Sequence, residues 1–513
     1  MTWTGCKGPG VLHFEVFLVN DMILALHLGV GRPLKRGGGV GQNVWGYRKC
    51  PKPGSNSAML ASLRRLEVVG KWMKNWILIT MLILGAMSMP ILGSGFGLYE
   101  QGAQSMGSLG AFTARAEGAS ALYHNPAGLA QLKMSEFSIS LRPMGSRSFY
   151  SNPGQSTWKT DPEFNSAYNM FGSFNMGRFA LGVGSYASHQ YKLDWDEADF
   201  PARFLDKETE FEAFEHSVGI GYRVTERFSI GGTYRFAQVD TSQSRVLVRP
   251  MDESDSSLSY ETLETFSSDG DGSGFSLGLQ YYRARRFSLG ATYWSSIKVD
   301  LTGSRDYALY SRLNDVRAQD RFIENFNSAP LTTSFELPER IAIGIASRLT
   351  VRTRLELDIS MEKWSSNVAT VYNTQDSNGV AEQVVFPRNW EDSMSFRLAG
   401  DFQQRKALLW RAAIASVEGV VPVETASPYF PDDDRFLYSF GVSYTWRQKY
   451  IFEAAWQYIQ NRDRDAVNQE FLFDPNAPNN ISPTGEDGLY ETQRTQFNFG
   501  VRIKFGKSRS ASS

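Results

Sequence analysis

The sequence predicts an all-β fold: a 14-stranded antiparallel transmembrane β-barrel with an N-terminal hatch, or plug, inside its lumen. Three observations predict it. Runs of alternating apolar and polar residues recur fourteen times between Ser135 and Phe505. The links between them are short and long by turns. A secretory signal precedes them, and no run of eighteen or more uncharged apolar residues follows Pro90, which excludes helical spans.

Composition fits. The mean hydropathy of -0.32 is compatible with a barrel, because only every second strand residue faces lipid. The two cysteines, Cys6 and Cys50, both lie before Met73. The exported chain therefore has no structural disulfide, thiolate metal site, cysteine nucleophile or lipoprotein acceptor. Residues 1–72 hold ten basic and three acidic side chains, a net of +7, and the remainder carries -8. A basic leader thus precedes a mildly acidic protein, and nothing points to nucleic acid.

Taken in order, residues 1–72 show no sustained period and are expected to be either an over-extended start or a disordered leader. Residues 73–93 read as a signal peptide: Lys74 is the charged end, Trp76 to Leu84 the apolar core, and Gly85 to Ser94 the small-residue cleavage region. Cleavage after Gly93 would leave Ser94 at the N-terminus, and cleavage after Ser94 fits nearly as well. Residues 94–134 are rich in Gly, Ala and Ser and poor in large apolar side chains. Such a segment cannot build its own core but can pack inside walls supplied by something else. This is the predicted hatch.

The barrel is expected over residues 135–505. Its strands are predicted near 135–142, 167–175, 179–188, 212–224, 228–248, 273–282, 286–303, 338–349, 352–366, 391–404, 408–417, 435–447, 449–462 and 492–505. An even count suits a single-chain outer-membrane barrel. Turns such as Met176-Gly177-Arg178 and Thr225-Glu226-Arg227 alternate with long links at about 143–166, 189–211, 249–272, 304–337, 367–390, 418–434 and 463–491. A membrane barrel separates short turns from long loops in this way, whereas a soluble sandwich has no reason to. The faces agree. Leu355, Leu357, Ile359 and Met361 lie on one side of a strand, with Glu356, Asp358, Ser360 and Glu362 on the other. Closure would pair every backbone donor and acceptor, as lipid demands. Residues 506–513 form a tail after the last strand.

The residues also carry a resemblance. Gly95-Phe96, Gly110-Ala111-Phe112 and Ala119-Ser120-Ala121-Leu122-Tyr123-His124-Asn125-Pro126-Ala127-Gly128 resemble the hatch of the FadL/TodX family of outer-membrane transporters. So do Leu289-Gly290-Ala291-Thr292-Tyr293-Trp294, Leu337-Pro338-Glu339 and Pro428-Tyr429-Phe430-Pro431-Asp432 in the barrel. The resemblance covers nearly all of Ser94–Phe505. It implies passive uptake of long-chain fatty acids or other hydrophobic compounds, captured by extracellular loops and released sideways through the wall beside a kinked third strand.

By the same resemblance, Phe96 reaches the ligand pocket from the hatch, and Asn125, Pro126 and Ala127 set the hatch conformation that gates it. On the third strand Gly182 and Gly184 could permit the kink, since glycine in a strand often marks a bend. Where relatives often have proline near its end, this chain has Ala187-Ser188-His189. The expected surroundings are outer-membrane lipid and lipopolysaccharide, and the expected state is a monomer in the outer membrane of a Gram-negative bacterium.

Other chemistry finds little support. The acidic run Asp252–Asp271 and the triplet Asp432, Asp433, Asp434 read as solvated loops, with no EF-hand spacing. His216-Ser217 are neighbours on a strand and so point to opposite faces, which does not make a base and nucleophile pair. The reading assigns no catalytic residue, metal or cofactor. Two alternatives remain open: a FadL-like barrel that shuttles a surface protein in a secretion system, and, with less support, an outer-membrane lipid enzyme.

Overall fold

The computed structural model describes residues 96–151, 157–160, 162–195, 200–252, 255–283, 286–310, 328–376, 379–461, 464–466 and 488–506. The leader, the signal peptide, Ser94 and Gly95, and the tail beyond Gly506 lie outside these residues.

One antiparallel sheet closes on itself through fourteen strands. They are β1 (Ser135–Ser151), β2 (Glu163–Met176), β3 (Phe179–Asp194), β4 (Glu208–Arg223), β5 (Phe228–Asp252) and β6 (Asp255–Arg283). β7 has two segments, Phe287–Trp294 and Ile297–Leu309, as does β8, Ala329–Leu337 and Glu339–Arg348. Then come β9 (Thr353–Lys363), β10 (Ser393–Arg405), β11 (Leu408–Val417), β12 (Arg435–Trp446), β13 (Tyr450–Asn461) and β14 (Gly488–Phe505). Each pairs with the next, and β14 returns to β1 in the register Ser135↔Phe505 through Ser151↔Leu489. Closure gives every strand a paired neighbour on each side along part of its length, which is why strands alone can cross the bilayer. No helix among the described residues is long and apolar enough to do so.

The alternation read from the sequence sorts the side chains. Leu357, Ile359 and Met361 face outward and are exposed, while Glu356, Asp358, Ser360 and Glu362 are buried in the lumen. On β12, Tyr438, Phe440, Tyr444 and Trp446 face outward. Short turns join β2 to β3, β4 to β5 and β12 to β13. The last turns at Arg447 and Gln448, both at positive φ.

The long links differ from expectation. Much of what reads as loop is strand. β5 and β6 stay paired as far as Asp252↔Asp255, so residues 255–271 of the acidic run form a ladder with β5. A hairpin of Ala369–Gln375 and Ala381–Pro387 stands between β9 and β10. Beyond the lipid both faces of a strand are wet, so pairing persists while the apolar alternation that marks it in sequence stops. The triplet at 432–434 is also not solvated. Asp432 is buried against Arg435 and accepts the Val420 N–H at 3.0 Å, and Asp434 accepts the Gly419 N–H at 3.1 Å. The loop turns inward, and its carboxylates cap its own backbone.

Replacing Ile343, 61% exposed on the outer face of β8, by Arg is expected to cost about 2–4 kcal/mol near the bilayer midplane. Unfolding titrations in lipid vesicles measure the loss.

Candidate functional site

The lumen holds the hatch. Its elements are short: α1 (Ala103–Met106), α2 (Ala121–His124) and a 3₁₀ turn, Pro126–Gln131. Gly102, at φ 98°, is the N-cap of α1, and Gly118, at φ 85°, turns the chain just before α2. With so little structure of its own, the segment is held by the wall.

Three kinds of contact hold it. The first is ionic. Arg115 pairs with Glu356 and Asp401, and Glu117 pairs with Arg354, which also reaches Asp401 at 2.8 Å. The second is backbone to carboxylate. Asp358 accepts the N–H groups of Phe112 (3.0 Å) and Thr113 (2.9 Å), Glu356 accepts Ala114, and Glu136 accepts Ala119 at 3.0 Å. Each satisfies a plug donor that no helix or sheet serves. The third is steric. Gly221, Gly231 and Gly278 form one cross-strand row on β4, β5 and β6. A Cβ on Gly231 would stand 2.3 Å from the Pro126 carbonyl carbon, and one on Gly278 would stand 2.1 Å from Asn125 Oδ1. On β7, a Cβ on Gly290 would stand 2.0 Å from the Thr113 oxygen. The plug lies flush against a wall stripped of side chains.

Asn125, Pro126 and Ala127 sit at that contact. Asn125 is extended, and its Oδ1 accepts the Ala127 N–H at 3.2 Å. Its Nδ2 donates to Thr113 O at 2.8 Å and to Leu279 O of β6 at 3.0 Å. One amide thus ties two parts of the hatch to the barrel. Pro126 opens the 3₁₀ turn, where its missing N–H costs nothing.

Above the plug is an aromatic chamber. Phe96 lies at its centre, with ring centroids of Phe211 at 4.7 Å, Trp364 and Phe430 at 5.1 Å, His189 at 5.8 Å and Trp390 at 6.0 Å. Its floor is polar: Tyr99 Oη and Trp364 Nε1 both donate to Glu362. Its roof is made by loops. Trp195 stacks on Phe200 at 4.4 Å and donates to Pro428 O at 3.3 Å. Arg388 lies 3.5 Å over the Tyr429 ring and donates to Gln243 Oε1 at 3.2 Å. Buried Asp206 accepts from Gln243 Nε2 (2.8 Å) and Thr209 Oγ1 (2.7 Å).

The wall is broken beside this chamber. β3 pairs with β2 only as far as Asn169↔Tyr186, although β2 continues upward to Glu163 alongside β1. A bulge at Ser188 carries β3 inward. Its backbone groups find the hatch instead. Leu98 N–H donates to Ser188 O (2.7 Å), Gln101 Nε2 donates to Ala187 O (2.8 Å), and Gln190 N–H donates to Phe96 O (3.4 Å). Gly182 and Gly184 lie below the break and pair on both sides. A Cβ on Gly182 would stand 2.9 Å from Leu129 Cδ1, and one on Gly184 would stand 3.0 Å from Leu122 Cδ2. These two glycines seat the hatch, and the departure itself falls at Ala187–His189.

Sequence reasoning missed the glycine row, whose only signal is glycine recurring at inward strand positions. It also missed a polar pair on the outer face: His216 Nδ1 lies 3.1 Å from Ser185 Oγ, across strands. Among the described residues no carboxylate or amide is hydrogen-bonded to that imidazole, so it lacks the orienting partner of a catalytic triad. Burial, reinforced by the Arg340 charge, pushes the His124 imidazole down to about 3, which leaves it neutral. No group of His, Cys, Asp or Glu among the described residues could hold a metal ion.

Two outcomes follow from this geometry. Gly231→Leu should unseat the Asn125–Pro126 contact at a cost of about 1–3 kcal/mol or more, with the barrel still heat-modifiable. Thiol labelling of Ala127→Cys, in a chain with no cysteine after Cys50, reads the exposure. Asp206 is pushed up to about 8 by burial, against the pull of its hydrogen bonds and of Arg388, with Glu208 adding to the rise. The neutral acid is the favoured form in the closed roof. Roof stability should therefore fall as pH rises from near 4 to about 8 and level off above. Asp206→Asn should flatten that dependence in limited proteolysis of the loops.

The model of the outer membrane protein transport family (OMPP1/FadL/TodX) matches residues 85–486. A long-chain fatty acid transport protein of Escherichia coli is 22% identical over 195 residues, 37% of this chain and 43% of that protein. The chain thus aligns with under half the length of that relative. Among solved structures, a FadL homologue of Pseudomonas aeruginosa superposes with a TM-score of 0.68 at 16% identity, covering 80% of this chain and 100% of the other. The toluene transporter TbuX of Ralstonia pickettii does so with a TM-score of 0.60 at 16% identity, covering 80% and 100%.

Proposed function

The chain belongs to the OMPP1/FadL/TodX family of outer-membrane transport proteins, and from that membership we propose that it takes up hydrophobic compounds, long-chain fatty acids or hydrocarbons, passively through the lumen with hatch-controlled lateral release. The family consists of transport channels of the Gram-negative outer membrane, and the activity assigned here is transport rather than catalysis. The domain plan carried into the proposal is a signal over 73–93, a hatch over 94–134 and a barrel over 135–505.

The observation that carries the reading is the departure of β3 from β2 beside an aromatic chamber plugged from below. A hydrophobic compound cannot cross a polar lipopolysaccharide surface unaided. It gains about 0.8 kcal/mol per CH₂ buried in an apolar pocket. Phe96 supplies the centre of that pocket, so a ligand would displace it. Phe96 is also part of the segment that pairs with β3. Occupying the chamber therefore loosens the strand beside the wall opening. Asn125, Pro126 and Ala127 would hold the lower hatch fixed while the upper part moves. In this reading the downward route stays closed and the sideways route opens into lipid, where an apolar solute is stable.

The test is uptake of labelled oleate by cells lacking their own transporter, with and without the exported barrel. Saturable uptake that depends on the barrel is expected. Deleting Asn125–Ala127 should abolish it while leaving a folded, heat-modifiable barrel, and undiminished uptake by that variant would overturn hatch gating. A well-assembled barrel that moves neither oleate nor toluene, and that copurifies with a surface protein, would favour the shuttle reading.

A further inference from the structure

Above Asn169 the gap between β2 and β3 is not empty on the lipid side. Tyr168, the next residue of β2, would face Ala187 of β3 if the ladder continued. Ala187 pairs instead with Phe214 of β4 alone. The rings of Tyr168 and Phe214 meet over it, with centroids 5.1 Å apart and planes at 47°. Two strands that are not neighbours thus touch across a third that has withdrawn. Ala187 is 3% exposed beneath them although it faces outward. On the lumen side Leu98 of the hatch packs with Ala187, Ala167 and Met144. Phe164, 85% exposed, stands on the unpaired edge of β2.

We propose that Tyr168 and Phe214 form an outer shutter across the wall opening, that Leu98 is its inner leaf, and that the pair sets the width of hydrophobic compound that can leave the lumen. The proposal rests on the lateral-release reading. The chemistry suits the place. An aromatic pair of this kind adds only a weak attraction beyond its area, so it closes the gap to lipid without locking it. Alanine at 187 leaves room for the rings, and the two outer rings part by rotamer change rather than by breaking a ladder. A slender acyl chain needs the rings to swing apart, whereas a fused-ring system needs them gone. The outer rings and Leu98 belong to different elements, so ligand that shifts the hatch withdraws the inner leaf first.

The test compares two solutes in cells lacking their own transporter: labelled oleate and a pyrene-labelled dodecanoate. Tyr168→Ala/Phe214→Ala should raise uptake of the pyrene compound about tenfold relative to oleate. In a second variant, Tyr168→Cys/Phe214→Cys, a short bis-methanethiosulfonate, which joins the two thiols through disulfides with loss of methanesulfinate, should stop uptake of both, and dithiothreitol should restore it. Heat-modifiability of each variant confirms assembly. An unchanged pyrene-to-oleate ratio, or full oleate uptake by the bridged protein, would overturn the shutter while leaving transport through the barrel standing. No barrel-dependent uptake of either compound by the parent protein would overturn the transport reading, and the shutter with it.

Discussion

The structure depends on where the backbone of β3 finds its partners. Up to Tyr186 it pairs with β2 like any barrel strand. Beyond that point Ala187, Ser188 and Gln190 are bonded to Phe96, Leu98 and Gln101 of the plug. A barrel in lipid cannot leave strand groups unpaired, because each costs several kcal/mol there. On the β3 side of the break the hatch supplies the missing hydrogen bonds. The plug thus completes the ladder of the strand that leaves the wall.

The rest of the lumen serves to hold the plug where it can do this. On the β9–β11 side the grip is ionic, through Arg115, Asp401 and Glu356. On the β4–β6 side it is steric, through glycines that admit the backbone of Asn125–Ala127. Breaking one partner of a buried ion pair leaves a charge in a poor medium, so the ionic side acts as the fixed anchor. The upper segment, Phe96–Gln101, has hydrogen bonds to a bulged strand and aromatic contacts in the chamber. It is the part of the hatch with the most to exchange for a bound apolar molecule.

Much of the fold was legible because lipid imposes a period. Phe137, Ile139 and Leu141 alternate with Glu136, Ser138 and Ser140, and that pattern fixes both the strand and its faces. Where lipid ends the signal ends, so the upper parts of β5 and β6 read as an acidic loop although they pair residue by residue. The hatch was visible as a segment unable to fold alone, and Asn125-Pro126-Ala127 as its most distinctive piece. Its grip was not visible, since the partners of Arg115 lie more than two hundred residues away. Gly182 and Gly184 drew attention as points of flexibility, but their neighbours show a need for space. The bend falls instead at Ala187-Ser188-His189, where no glycine or proline marks it. A bulge stabilised by a distant segment leaves no local trace.

The most direct measurement is residue-resolved hydrogen exchange on the assembled barrel in lipid. If the plug completes the β3 ladder, the amides of Leu98 and Gln190 will be protected together, and Gln190 will lose protection when Leu98 is replaced by proline, which removes the N–H bonded to Ser188 O. Protection of Gln190 that survives this substitution would mean that β3 is held by some other partner, and would contradict the account.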